Sequence, residues 1–146
     1  MKRNNTICFN IRLAWHEIAR MYQSHANEHG VSVSLAYVLL SLKKDQLIKS
    51  TQIAPMLGME ASSLTRIIKT LELNKWIKKY PGKEDKREVY IGLTEEGVER
   101  RRLASKVVKK FNAQVRENIS QEEITQFMKT LKKINELSKG NHHAKD

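Results

Sequence analysis

A chain of 146 residues can hold one domain with a real core, or share a core with a twin. Its 27 Lys and Arg against 16 Asp and Glu leave a formal charge of +11, which favours a polyanionic partner, duplex nucleic acid ahead of an anionic membrane surface. No apolar run suits a membrane span or a secretory leader, so a soluble cytoplasmic protein is expected, and the lone Cys8 excludes an intrachain disulfide and a Cys-rich zinc site.

Ile7, Ile11, Trp15, Ile18 and Tyr22 recur at three- and four-residue steps, which predicts an amphipathic helix ending near His29-Gly30. A second helical stripe, Val31, Leu35, Val38, Leu39 and Leu42, runs to the charged turn Lys43-Lys44-Asp45. A short segment from Ser50 to Leu57 is closed by Gly58 and carries Pro55, which removes one backbone donor. From Glu60 to Asn74, Leu64, Ile67, Ile68 and Leu71 share one helix face, while Ser62, Ser63, Thr65, Arg66 and Lys69 make the other polar and basic.

After Trp76 the period becomes alternating. Arg87, Val89, Ile91 and Leu93 share one side of a strand whose partner is Ile77 to Tyr80, and Pro81 to Lys86 supplies turn formers and charge. The pair reads as a small β-hairpin with a long basic tip that must lean on helices. Thr94 is the predicted N-cap, with Glu95 and Glu96 in the first turn, of a long helix reaching Asn118. Ser120 and Glu123 form a capping box for a last helix bearing Ile124, Phe127, Met128, Leu131, Ile134 and Leu137 before Gly140; residues 141–146 are expected to fray.

A short helix, a turn, a polar-faced helix and a basic hairpin are the parts of a winged helix-turn-helix. A helix fits the major groove of duplex DNA, and a hairpin tip reaches the neighbouring minor groove. Arg66 and Lys69 suit base edges or phosphates, Ser62, Ser63 and Thr65 suit phosphate oxygens or bases, and Lys83, Lys86 and Arg87 suit a narrow, electronegative minor groove. Eight basic residues against four acidic between Glu60 and Arg87 make this stretch locally positive, as such a role needs.

The segment Asp85-Lys86-Arg87-Glu88-Val89-Tyr90-Ile91-Gly92-Leu93-Thr94 resembles the Asp-x-Arg and Leu-Thr wing signature of the MarR family of regulators. Leu57-Gly58, Ser63-Leu64-Thr65-Arg66 and Leu71-Glu72 fall where that family places its turn and recognition helix, though Asn74-Lys75-Trp76 stands where a Gly commonly precedes the wing. The resemblance implies a mainly α fold with a small β-hairpin. A winged helix-turn-helix over 31–94 is flanked by dimerisation helices over 1–30 and 95–140, with a flexible tail over 141–146. It also implies that Arg87 enters the minor groove, that Asp85 braces the wing, and that a homodimer reads a palindromic operator, more often as a repressor.

Family members commonly respond to a small aromatic or phenolic acid. Trp15, Tyr22 and Tyr37 could wall such a pocket, with Arg12 or His16 meeting the anion, although aromatic residues on a helical stripe also serve as plain core. Cys8 either fills space as a buried thiol or senses peroxide, as its place near the start of the first helix resembles the organic-peroxide-responsive branch; Arg12, one turn on, would favour a thiolate. His25 and His29 have a metal-compatible spacing with no third ligand in view, and His142 and His143 sit in the tail, so no metal or cofactor is expected. No catalytic motif occurs, which leaves a basic protein-interaction or membrane-surface module as the rival from another class.

Overall fold

The computed structural model describes residues 6–28 and 30–140. In chain order these form α1 (Ile7–Glu28), α2 (Val33–Ser41), β1 (Ile48–Lys49), α3 (Ser50–Leu57), α4 (Ala61–Leu73), β2 (Ile77–Pro81), β3 (Val89–Leu93), α5 (Glu95–Asn118) and α6 (Gln121–Gly140). The chain divides into two compact units between Val107 and Val108.

The first unit holds the core. Val38, Leu39, Leu42, Ile53, Leu64, Ile68, Leu71, Trp76, Ile77 and Ile91 are buried together, drawn from α2, α3, α4, β2, β3 and their flanking residues, with Ile48 of β1 partly buried against them. The spacing of Leu64, Ile68 and Leu71 puts them on one face of α4, and that face meets the core; Ile67 is only partly buried against it. α2 is shorter than its apolar stripe. Ser32 caps it by accepting from the Leu35 amide, so Val31 precedes the helix and Leu42 follows it, although both still pack inward.

The sheet has three strands where the sequence pattern gave two. β3 lies in the middle, antiparallel to β2 on one side and to the two-residue β1 on the other, with Ile48 opposite Ile91 and Lys49 opposite Tyr90. Two residues of β1 are too few to reveal a period, and Lys49 leads directly into α3. β3 also begins later than the alternation suggests. Arg87 and Glu88 belong to the tip between Pro81 and Val89, because Gly82 N–H bonds Glu88 O and Glu88 N–H bonds Asp85 O, closing a loop rather than extending the ladder.

The wing is joined to the helices at one tight junction. α4 ends with the Lys75 amide donating to Glu72 O and the Trp76 amide donating to Leu71 O, with Lys75 itself at φ 60°, the left-handed position that usually holds glycine. Trp76 O then accepts from the Thr94 amide at 3.1 Å, and Thr94 Oγ1 donates to Lys75 O at 2.7 Å while accepting from the Gly97 amide as the cap of α5. The Trp76 indole donates to Glu96 and lies under the Arg100 guanidinium, 5.0 Å from the ring centre. Farther along α5, Arg101 Nε bonds Leu42 O at 2.7 Å, which satisfies the carbonyl just past α2.

In the second unit, Ser120 and Glu123 exchange the expected capping-box bonds, and Arg116 bonds Gln121 across the turn between α5 and α6. His29 and residues 141–146, where a helix stop and a fraying tail are expected, lie outside the described residues.

Gly97 has no room for a side chain: a Cβ there would lie 1.8 Å from Trp76 O. Gly97→Ala is expected to destabilise the fold by ~3 kcal/mol or more, because backbone rather than a flexible side chain would have to move. Denaturant unfolding at matched protein concentration measures it, and an unchanged midpoint would mean that α5 starts elsewhere.

Candidate nucleic-acid interface

The turn between α3 and α4 is set by Gly58, at φ 62°, whose left-handed backbone lets the Met59 amide bond back to Ala54 O. Met59 is half-buried and α4 begins two residues later. With Leu64, Ile68 and Leu71 turned to the core, Ser62, Ser63, Thr65, Arg66 and Lys69 are exposed. Thr65 Oγ1 donates to Ala61 O at 2.9 Å, which leaves its oxygen lone pairs outward.

At the wing tip Asp85 collects three bonds from one residue. Its carboxylate accepts from the Arg87 amide at 2.9 Å and from Arg87 Nε and Nη2 at 3.1 Å each, a fork-shaped pairing that orients the guanidinium. The Arg87 side chain is nevertheless 91% exposed, so the brace fixes its direction without covering it. Lys83 and Lys86 are exposed on the same tip. The Arg87 bonds, side chain first and amide second, hold the Asp85 carboxyl below its ordinary range.

Where the tip leaves the sheet, Glu88 pairs with Lys49 through one carboxylate oxygen and accepts from the Tyr90 hydroxyl at 3.1 Å through the other. On the far strand Lys79 pairs with Glu72 of α4 at 2.6 Å. These five residues were not legible as site residues. Their charges look like ordinary strand and helix decoration until β1 brings Lys49 beside a residue 39 positions away. A groove of about 870 Å³ runs between α3, α4 and the sheet, with Thr51, Thr65, Lys69 and Lys79 over an apolar floor of Ala54, Ile68 and Ile91; it too lay beyond the sequence pattern.

The residues expected at an effector site are distributed as follows. Trp15 of α1 and Tyr37 of α2 are in ring contact, with centroids 5.7 Å apart, and Tyr22 and Tyr37 are half-buried. Burial raises both tyrosine hydroxyl pKa values, and the neighbouring Tyr22 raises that of Tyr37 further. Arg12 and His16 are exposed. Cys8 is also exposed, with Sγ 3.6 Å from Thr6 Oγ1, so within the single chain it is not the buried thiol that core filling requires. His25 is half-buried, 3.9 Å from the Glu28 carboxylate, and no group of three metal-ligating side chains converges among the described residues. Nor is any described helix long and apolar enough to cross a membrane.

Residues 32–89 match the model of the MarR family. Over most of its length the chain is similar to the HTH-type transcriptional regulator SarZ. It is 24% identical to the Staphylococcus haemolyticus protein over 90% of this chain and 88% of that one, and 25% identical to the Staphylococcus aureus protein over 86% and 84%. Among solved structures it superposes on the S. aureus MepR-DNA complex with a TM-score of 0.80, at 20% identity over 90% of this chain and 97% of that one. A mutant of E. coli MarR complexed with operator DNA gives a TM-score of 0.78, again at 20% identity, over 92% and 98%.

Because ionised Asp85 is the form that Arg87 favours, the brace is complete above the ordinary Asp range and is lost as pH falls through the lower folded value. In an NMR titration the Asp85 carboxyl carbon should have its midpoint below the ordinary Asp range, and Arg87→Ala should move that midpoint upward. An unmoved midpoint would detach the brace from Arg87.

Proposed function

We propose that the chain is a MarR-family winged helix-turn-helix transcriptional regulator, a cytoplasmic repressor that binds a palindromic operator as a homodimer and is released by a small anionic aromatic effector. The observation that carries this reading is the joint exposure, in one compact unit, of the polar basic face of α4 and of the braced Arg87. The face of Ser62, Ser63, Thr65, Arg66 and Lys69 enters the major groove, and Arg87, flanked by Lys83 and Lys86, enters the adjoining minor groove. Two structural neighbours were solved with DNA, which supports the same use of this fold here.

The dimer rests on apolar faces that the single chain leaves in water. Ile7, Leu13 and Trp15 of α1, and Phe127, Met128 and Leu137 of α6, are all exposed, and a second copy is their simplest cover. The dimerisation region is then 1–30 with 95–140, around a DNA-binding region over 31–94. Two-fold symmetry gives half-sites about one helical turn apart. The effector sits against Trp15, Tyr22 and Tyr37, with Arg12 or His16 meeting its anion. The exposure of Cys8 favours a second reading of the same fold, in which oxidation of that thiol replaces the effector.

Selection of bound sequences from a random duplex pool, at near-physiological salt with reductant present, tests the reading. An enriched palindrome is expected; charge-driven binding without enrichment would return the chain to the class of basic interaction modules. On the enriched operator, Arg87→Ala should weaken binding while leaving the dimer intact by sedimentation. Arg66→Ala should instead blunt discrimination at one base position by ~1–3 kcal/mol. Full affinity in the Arg87 variant would remove the wing from the interface.

A further inference from the structure

The sign of one charge in the wing runs against the function proposed for it. Glu88 follows Arg87 directly, and a carboxylate beside a group that meets phosphates repels the ligand. Both its oxygens are occupied, one by Lys49 and one by the Tyr90 hydroxyl, and its side chain is about two-thirds covered. Lys49 is the last residue of β1 and immediately precedes α3, so this pair ties the point where the wing tip leaves the sheet to the start of the helix-turn-helix. The place is mechanically apt. β1 supports β3 only at Tyr90 and Ile91, and beyond the Pro81–Val89 pair the hairpin projects with no third strand beside it among the described residues. A two-stranded ribbon is marginal alone, so the angle at which it leaves the sheet needs an anchor.

We propose that Glu88 is a positioning residue for DNA binding: by holding Lys49 and Tyr90 it fixes the exit angle of the wing and so the point to which Arg87 is delivered. It touches no nucleic acid itself and acts through Arg87. The inference rests on the DNA-binding reading above.

The test uses the full-length protein and the operator enriched by selection, with affinity read by fluorescence anisotropy. Simple Coulomb reasoning says that Glu88→Ala, which removes a repelling charge, should tighten binding. The positioning role says the reverse, a loss of about tenfold, with Tyr90→Phe, which changes no charge, losing about threefold. In an Arg87→Ala background the same Glu88 change should cost less than about twofold, because there is no longer an arginine to deliver. Thermal melts check that the variants fold; if Glu88→Ala does not, Tyr90→Phe alone and in the Arg87→Ala background carries the decision. Unchanged or tighter binding by the folded variants, or losses that add to that of Arg87→Ala, would overturn the positioning role and leave the DNA-binding reading intact. Wild-type protein without sequence preference would overturn the DNA-binding reading instead.

Discussion

The contact on which the DNA-binding unit depends is the approach of Trp76 O to the start of α5. Four chain segments end or begin there: α4 stops, β2 starts, β3 stops and α5 starts, all within the bonds that Lys75, Trp76, Thr94 and Gly97 share. The geometry carries a cost, since Lys75 takes a left-handed conformation at ~1 kcal/mol. What it permits is larger. Trp76 turns into the core, and loss of a buried aromatic of that size typically removes ~3–5 kcal/mol. The same turn sets the angle between the polar face of α4 and the hairpin, so a packing requirement and the spacing of the two DNA-directed elements are one constraint.

Two sets of basic residues in and beside the DNA-binding unit have different physical roles. Lys49, Lys79, Arg87, Arg100 and Arg102 each face a carboxylate, and these exposed or half-exposed pairs contribute little to stability. Their value is directional, because a guanidinium or ammonium held by a carboxylate keeps one orientation. Arg66, Lys69, Lys83 and Lys86 have no ion pair among the described residues, and they are exposed on α4 and on the wing tip that also carries Arg87. Charges left unneutralised beside charges held in place suit a surface that meets a polyanion, where displaced counterions supply much of the affinity.

Local signals in the sequence carried most of the fold. The limits of α3, the face of α4, the Thr94 cap and the Ser120–Glu123 box are each decided by residues a few positions apart, and each is legible at that range. The features that were not legible are long-range. β1 is two residues long and becomes a strand only because Ile91 and Tyr90 lie opposite it, and Arg101 reaches a carbonyl 59 positions away. The exposed face of α4 and the Asp85–Arg87 pair were legible because their spacing is short, whereas Glu88 read as the polar side of a strand.

Amphipathic periodicity also leaves undecided what an apolar stripe faces. α1 and α6 have stripes as regular as that of α4, yet neither contributes a buried residue, while α4 buries three. Within one chain the difference is unexplained by composition, since Phe127, Met128 and Leu137 are as apolar as Leu64 and Ile68. It follows if the stripes of α1 and α6 are completed by a second copy. In that dimer the separation of the two α4 helices is a property of the interface. On the proposed function, a ligand against Trp15 and Tyr37, or an oxidised Cys8, would not have to approach the DNA to act. It would need only to favour one packing of α1 over another, since in the proposed dimer a shift there would change the distance between the α4 helices that a fixed operator spacing must match.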